Sequence, residues 1–291
     1  MKRLWMALLC LVFCGLASAE SISEVRKQAE ASMLVTGWVV VGTDGRTQSH
    51  VLDKVEKLPP EVVDLIRRAS ATWRFEPVML DGKPVVAKAK MSLRVVAKRE
   101  DNSSNFVVRV AGATFGDPGA EEDSDSVRFK DRRAPKYPEL ALRARVSGTV
   151  FLLARIDRSG KVADVDAEQV NLDVVDTDKG MQTWRRILAE ASVRAARQWT
   201  YDLPTSGPHA NDDSWIVRVP VVFHMVMPNV SESAYYGQWQ AYVPGPKEPI
   251  PWRSKYPQAN DDKGGSTDAL ADDGIHMVGS GLQLKTPLDH S

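Results

Sequence analysis

The sequence predicts an α+β protein: two small units, each a three-stranded antiparallel sheet packed on helices, followed by a poorly ordered C-terminal tail. Three observations predict it. The first is an internal repeat. Trp73 aligns with Trp199, each is followed two residues on by an aromatic (Phe75, Tyr201), then by an acid (Glu76, Asp202), and shortly by Pro77 or Pro204. The second is an apolar row upstream of each tryptophan. Val62, Leu65, Ile66, Ala69 and Trp73 recur at helical spacing, as do Leu188, Ala191, Ala195 and Trp199, with Trp184 and Ile187 extending the second row backwards. The third is a pair of β-rich runs in each copy, led by a glycine and broken by an Asp/Gly turn.

The elements follow in order. Each copy opens on a helical stretch, Ser23–Met33 and Glu139–Arg145. The hairpins are led by Gly37 and Gly148 and turn at Asp44-Gly45 and at Asp157 to Gly160, because glycine supplies the positive φ a tight turn requires. The long helix comes next, and Pro60 suits its first turn in the first copy. A tryptophan ending an amphipathic helix reads as a core anchor between helix and sheet. Last come the β-rich runs Val85–Ala97 and Ile216–Val226, and Asn105–Val110 reads as a further short strand of the first unit.

The segments between are read from composition. Residues 1–19 have Lys2 and Arg3, an apolar run to Leu16 and the small residues Ala17-Ser18-Ala19, the layout of a secretory signal peptide. The rival reading is an inner-membrane anchor formed by residues 4–19, although that run is short for a span. Both cysteines, Cys10 and Cys14, lie in this segment, so cleavage leaves a chain without disulfides, thiol chemistry or cysteine metal sites. The expected domains are 20–110 and 134–228, joined by a Gly- and acid-rich linker at 111–133. The acids at 121–125 lack the loop pattern of an EF-hand. Residues 229–291 form the tail. Its Tyr235, Tyr236, Trp239, Tyr242, Trp252 and Tyr256, among closely spaced prolines, read either as a docking segment for a partner or glycan or as a strap packed back on the second unit. From Asn260 on, Gly, Ser, Asp and Thr predict disorder.

Composition narrows the function. The 291 residues carry 38 basic and 38 acidic side chains, so no basic excess marks a nucleic-acid binder. His50, His209, His224, His276 and His290 form no zinc-hydrolase spacing, and there is no nucleophile elbow, phosphate loop or dinucleotide fingerprint. The sequence therefore predicts no catalytic, metal or cofactor-binding residues.

At this point the second copy resembles a TonB C-terminal domain. The matching residues are Pro135-Lys136-Tyr137-Pro138, Ala141, Gly148-Thr149-Val150, Ile156-Asp157 and Gly160-Lys161-Val162, then Ala191, Ala195-Ala196-Arg197-Gln198-Trp199-Thr200-Tyr201 and Val217 to Phe223. The first copy resembles a degenerate relative that keeps Trp73-Arg74-Phe75-Glu76-Pro77 but lacks the Tyr-Pro start. The resemblance implies a periplasmic protein of a Gram-negative envelope, of the kind that couples proton-motive force to outer-membrane receptors. It also implies that the last strand recruits a short receptor segment as an added strand. Transducers of this kind carry a membrane anchor and a Pro-rich spacer, whereas residues 20–32 read as helical.

The function expected is thus an exported periplasmic interaction protein that binds an envelope partner by strand addition. The alternative is a cell-envelope polymer-binding protein or an enzyme without a recognisable catalytic motif. The partner-binding residues expected are Val217, Val219, Pro220, Val221 and Phe223 on an edge strand. Ile216, Arg218, Val222 and His224 on the opposite face read as a partly exposed surface. Pro220 argues for an edge, since it has no N–H to give to a ladder, and the expectation is that its gap faces outward, weakens outward pairing and makes binding modest and selective. Tyr137, Pro138, Gly148, Trp199 and Tyr201 are the family-motif residues.

Overall fold

The computed structural model describes residues 25–100, 103, 105–116, 124–225, 235–260, 265–271 and 274–288. The expected signal peptide and Cys10 and Cys14 lie outside them.

The first sheet grows from a β-hairpin. β1 (Glu30–Val41) pairs with β2 (Thr47–Leu52) across a turn in which Gly45 takes φ 76°. Helix α1 (Pro60–Thr72) follows, with its proline at the first turn. A short hairpin, β3 (Val78–Leu80) and β4 (Lys83–Val85), turns at Asp81-Gly82. The chain then returns as β5 (Ala87–Arg99) beside β1 and as β6 (Phe106–Phe115) beside β5. On β1 the odd-numbered positions Met33, Val35, Val39 and Val41 are buried, the period-two pattern of a sheet with one face on a core. Against them α1 lays Val62, Ile66 and Ala69, and Trp73 closes the helix at 1% exposure.

The second sheet repeats the order. β7 (Arg128–Asp131) and the short helix α2 (Glu139–Arg143) precede the hairpin of β8 (Gly148–Asp157) and β9 (Val162–Leu172). Helix α3 (Asp178–Ala196) is capped by Thr177, whose hydroxyl accepts from the Gly180 N–H at 3.2 Å. β10 (Thr200–Asp202) pairs with β7, and β11 (Ser214–Phe223) pairs with β8.

The two hairpin turns share their local geometry. Phe75 N donates to Gly45 O at 2.7 Å, and Tyr201 N donates to Gly160 O at 2.8 Å. A Cβ on Gly45 would meet Phe75 O at 2.2 Å, and one on Gly160 would meet Tyr201 O at 2.3 Å. Each glycine lets the chain after the helix cross directly over the hairpin turn, so the aromatic two residues beyond each tryptophan is fixed by a backbone contact.

The tail binds the sheets together. β12 (Gln240–Tyr242) pairs with the start of β1, and the next residue, Val243, bridges to Leu172 at the end of β9. Glu248 N then donates to Glu168 O on β9 at 2.8 Å. Ile250, Trp252 and Ala259 pack on Leu153 and Ile216, on the face of the second sheet away from α3. Residues 265–270 lie on the first sheet, where Ser266 N donates to Ala113 O and Thr114 Oγ1 donates to Ala269 O. β13 (His276–Met277) pairs with β11, and Leu284 bridges to Phe75.

The fold is α+β with antiparallel sheets, and four expectations are corrected in detail. The sheets have five strands (β12-β1-β5-β6, with β2 also on β1) and four (β13-β11-β8-β9) rather than three, because β6 and the tail add to them. Among the described residues of the stretch Ser23–Met33, 25–28 are helical, and from Glu30 the backbone is drawn into pairing with β5 and β12. The first sheet runs past residue 110 to Phe115, and 128–131 is a strand, so both flanks of the expected linker 111–133 belong to sheets. The tail at 229–291 is not disordered from Asn260: in 265–271 and 274–288, Ala269, Leu270, Ile275 and Leu282 are buried. The tail's aromatics act as a strap, with Trp252 Nε1 donating to Asp166 and Tyr242 Oη donating to Asp268.

Candidate partner-binding edge

The order Tyr137-Pro138 places a ring and a helix cap at the mouth of the second sheet. Pro138 holds φ −64° before α2, and Tyr137 donates its hydroxyl to Val146 O at 2.7 Å and meets Phe223 edge-to-face at 5.3 Å. Burial raises the Tyr137 hydroxyl above its ordinary value of 10.0. Gly148 opens β8 where a Cβ would meet Asn171 O at 2.4 Å, so only glycine allows that approach. Trp199 donates Nε1–H to Arg133 O at 2.8 Å and stacks edge-on to Phe129 at 5.6 Å. Tyr201 is buried, and that burial pushes its hydroxyl far above the ordinary range. All five motif residues thus brace the end of β11 or the core beneath it.

On β11, Val217, Val219, Val221 and Phe223 face the second core, as the alternation predicts. The opposite face departs from its expectation. Ile216 is buried under Trp252, Arg218 is 4% exposed, and Val222 is open, at 42%. Arg218 forks onto Glu168 at 2.8 and 3.3 Å, and Arg253 and Thr267 of the strap reach the same carboxylate. An arginine at the centre of an apolar strand was the signal that this face is buried and needs an acid partner.

The edge itself is also partly taken. β13 pairs with Val217 and Arg218, and Val278 N donates to Ile216 O at 2.8 Å. Main-chain groups alternate sides along a strand, so Ile216, Arg218, Pro220 and Val222 present theirs outward. The missing N–H of Pro220 therefore falls on the outer row. Its carbonyl faces the same way, and Arg132 Nη2 approaches it at 3.5 Å. The strand ends at Phe223, and the end of the expected run, Val226, lies outside the described residues.

Among the described residues, no three or more His, Cys, Asp or Glu side chains are grouped to hold a metal ion, and no helix is long and apolar enough to cross a membrane.

The architecture defines a class: small antiparallel sheets, each built on a hairpin and a helix ending in a buried tryptophan, with the last strand of the second sheet near an edge. The sequence comparisons agree with it. The chain is 35% identical over 108 residues to "Protein TonB" of Xanthomonas campestris pv. campestris, a match covering 37% of this chain and 40% of that protein. It is 28% identical over 92 residues to "Protein tonB2" of Pseudomonas aeruginosa, covering 32% of this chain and 29% of that one. The matches thus span well under half of these curated relatives. No protein-family model matches the chain. The chain carries a TonB-like C-terminal domain.

Proposed function

We propose that this is an exported, periplasmic TonB-like interaction protein that binds an extended segment of an envelope partner by strand addition along β11. A periplasmic segment of an outer-membrane receptor is the partner class that the TonB relatives favour. The two sheets are read as a tandem of one module, which the matched turns at Gly45 and Gly160 support. The observation that carries the reading is the outer edge of β11, where the neighbouring strand β13 pairs with Val217 and Arg218, the next residue bonds Ile216 O, and Val222 lies beyond that contact. A strand laid there gains main-chain hydrogen bonds, the source of affinity in β-augmentation. The polymer-binding alternative is weakened, because two of the tail's six aromatics, Tyr242 and Trp252, are turned inward at 4% and 8% exposure.

The test is amide exchange on the full chain with and without a synthetic peptide from the periplasmic segment of an outer-membrane receptor. Protection is expected at the amide of Val222, the outward donor that lies beyond β13. Val222→Pro, which deletes an outward donor at an exposed position, should abolish binding with the fold intact. Binding that survives Val222→Pro, or protection elsewhere than β11, overturns the reading.

A further inference from the structure

We infer that β13 is a removable placeholder: an internal strand that occupies the partner-binding edge of β11 and must leave before a partner strand can pair along it. The inference rests on the strand-addition reading above. Its first support is the comparison between the sheets. In the order β2-β1-β5-β6 the strand beyond β5 is β6, paired with it from Met91 to Arg99. In the order β9-β8-β11-β13 the same place is held by His276 and Met277, against Val217 and Arg218, with Val278 N adding a bond to Ile216 O. One edge is closed by a full strand and the other by a fragment.

The second support is an account of the outward groups. With β13 in place, Ile216 O is bound by Val278 N, and Arg218 is opposite His276. Farther along, Pro220 has no donor, and the next outward N–H belongs to Val222. An incoming strand would find too short a row to pair with, since strands usually run about 5–6 residues. With β13 gone, Ile216, Arg218 and Val222 face it together.

The third support is how β13 is held. Ile275, before it, is buried in the second core, and Leu282, after it, is buried in the first, with its N–H on Phe115 O at 2.7 Å. Gly274, Gly279 and Gly281 flank the strand, the last two at φ 83° and 91°. A cavity of about 30 Å³, lined by Arg218, His276, Met277 and Val278 among others, lies at the junction. That is room for a water. Two paired residues and one further hydrogen bond make a short ladder, and tethering at both flanks is what raises its effective concentration at the edge. Such a contact excludes weak, unspecific strands and yields to one that pairs along the whole edge.

The experiment uses the full chain and a labelled peptide copying residues 274–281. Val278→Pro deletes the N–H that bonds Ile216 O. A second variant, Val217→Cys with Met277→Cys, places two thiols at facing positions in a chain whose own cysteines lie in the first nineteen residues. Oxidation staples β13 down and reduction frees it, so each preparation is its own control. The expected result is at least about tenfold tighter peptide binding to Val278→Pro than to wild type, with protection of the Arg218 amide. The stapled form should bind nothing, and reduction should restore binding. Equal binding to stapled and reduced protein, at β11, overturns the placeholder and leaves the strand-addition reading standing. Faster exchange at Arg218 in Val278→Pro with no peptide bound to any form overturns the strand-addition reading, and the placeholder falls with it.

Discussion

Trp73 and Trp199 do the same work with different means. Trp73 is packed edge-on to Phe115 at 5.2 Å and Phe75 at 6.4 Å, whereas Trp199 adds a hydrogen bond to Arg133 O and lies near the Arg132 guanidinium at 5.5 Å. Both are at or below 2% exposure. Either one changed to alanine is expected to cost about 3–5 kcal/mol in denaturant unfolding. Trp199→Ala belongs at the upper end, because it also strands the Arg133 carbonyl. A near-neutral shift for either would refute the equivalence. These residues were legible in the sequence because helical spacing, a closing aromatic and a turn glycine are all local signals. Arg132, Glu168 and Arg253 were not: each acquires its meaning from partners far along the chain, and no spacing rule links Glu168 to Arg218 and Thr267.

Among the elements, hairpins and long helices were legible and the sheet partners were not. The pattern of β11 gave its core face, since Val217, Val219, Val221 and Phe223 alternate. It could not show that Ile216 and Arg218 are covered as well, because the cover comes from Ile250 to Thr267 in a stretch poor in regular pattern. The same gap hid β13. Pro220 is where element and function meet. Its blank donor falls on the outer row of β11, beside the two pairs held by β13, so it weakens outward pairing and guards the edge against indiscriminate strands. Pro220→Val is expected to restore an outward N–H and to tighten peptide binding or promote self-association, measured by peptide titration and sedimentation. Wild-type behaviour in both assays would remove strand addition at this edge as the mechanism.

Across the whole molecule, neither sheet has a core of its own making. Val25, from before β1, packs in the second core, while Leu282 and Trp239 of the strap pack with the first. The strap's hold on the second sheet converges on Glu168, fully buried on β9, which takes Arg218 from β11 and both Arg253 and Thr267 from the strap. Burial alone would raise the Glu168 pKa. The Arg218 hydrogen bond and charge, with the charges of Arg253 and Lys247, outweigh it and hold the carboxyl below its ordinary value of 4.5. At neutral pH the group is ionised whether the chain is folded or not, and its stabilising contribution is fully present. As pH falls below 4.5 the unfolded chain takes up the proton first, so stability drops until the folded-state pKa is passed. Glu168→Gln should therefore lose about 3–5 kcal/mol at pH 7, the cost of leaving a buried arginine without its acid, and should flatten the acid limb of the stability profile. Because the strap joins both cores, the loss should appear in one transition, with calorimetric and van 't Hoff enthalpies equal. Two separated transitions, or an unchanged acid limb in Glu168→Gln, would mean that the sheets fold independently and that the Glu168 cluster is not what fastens the strap.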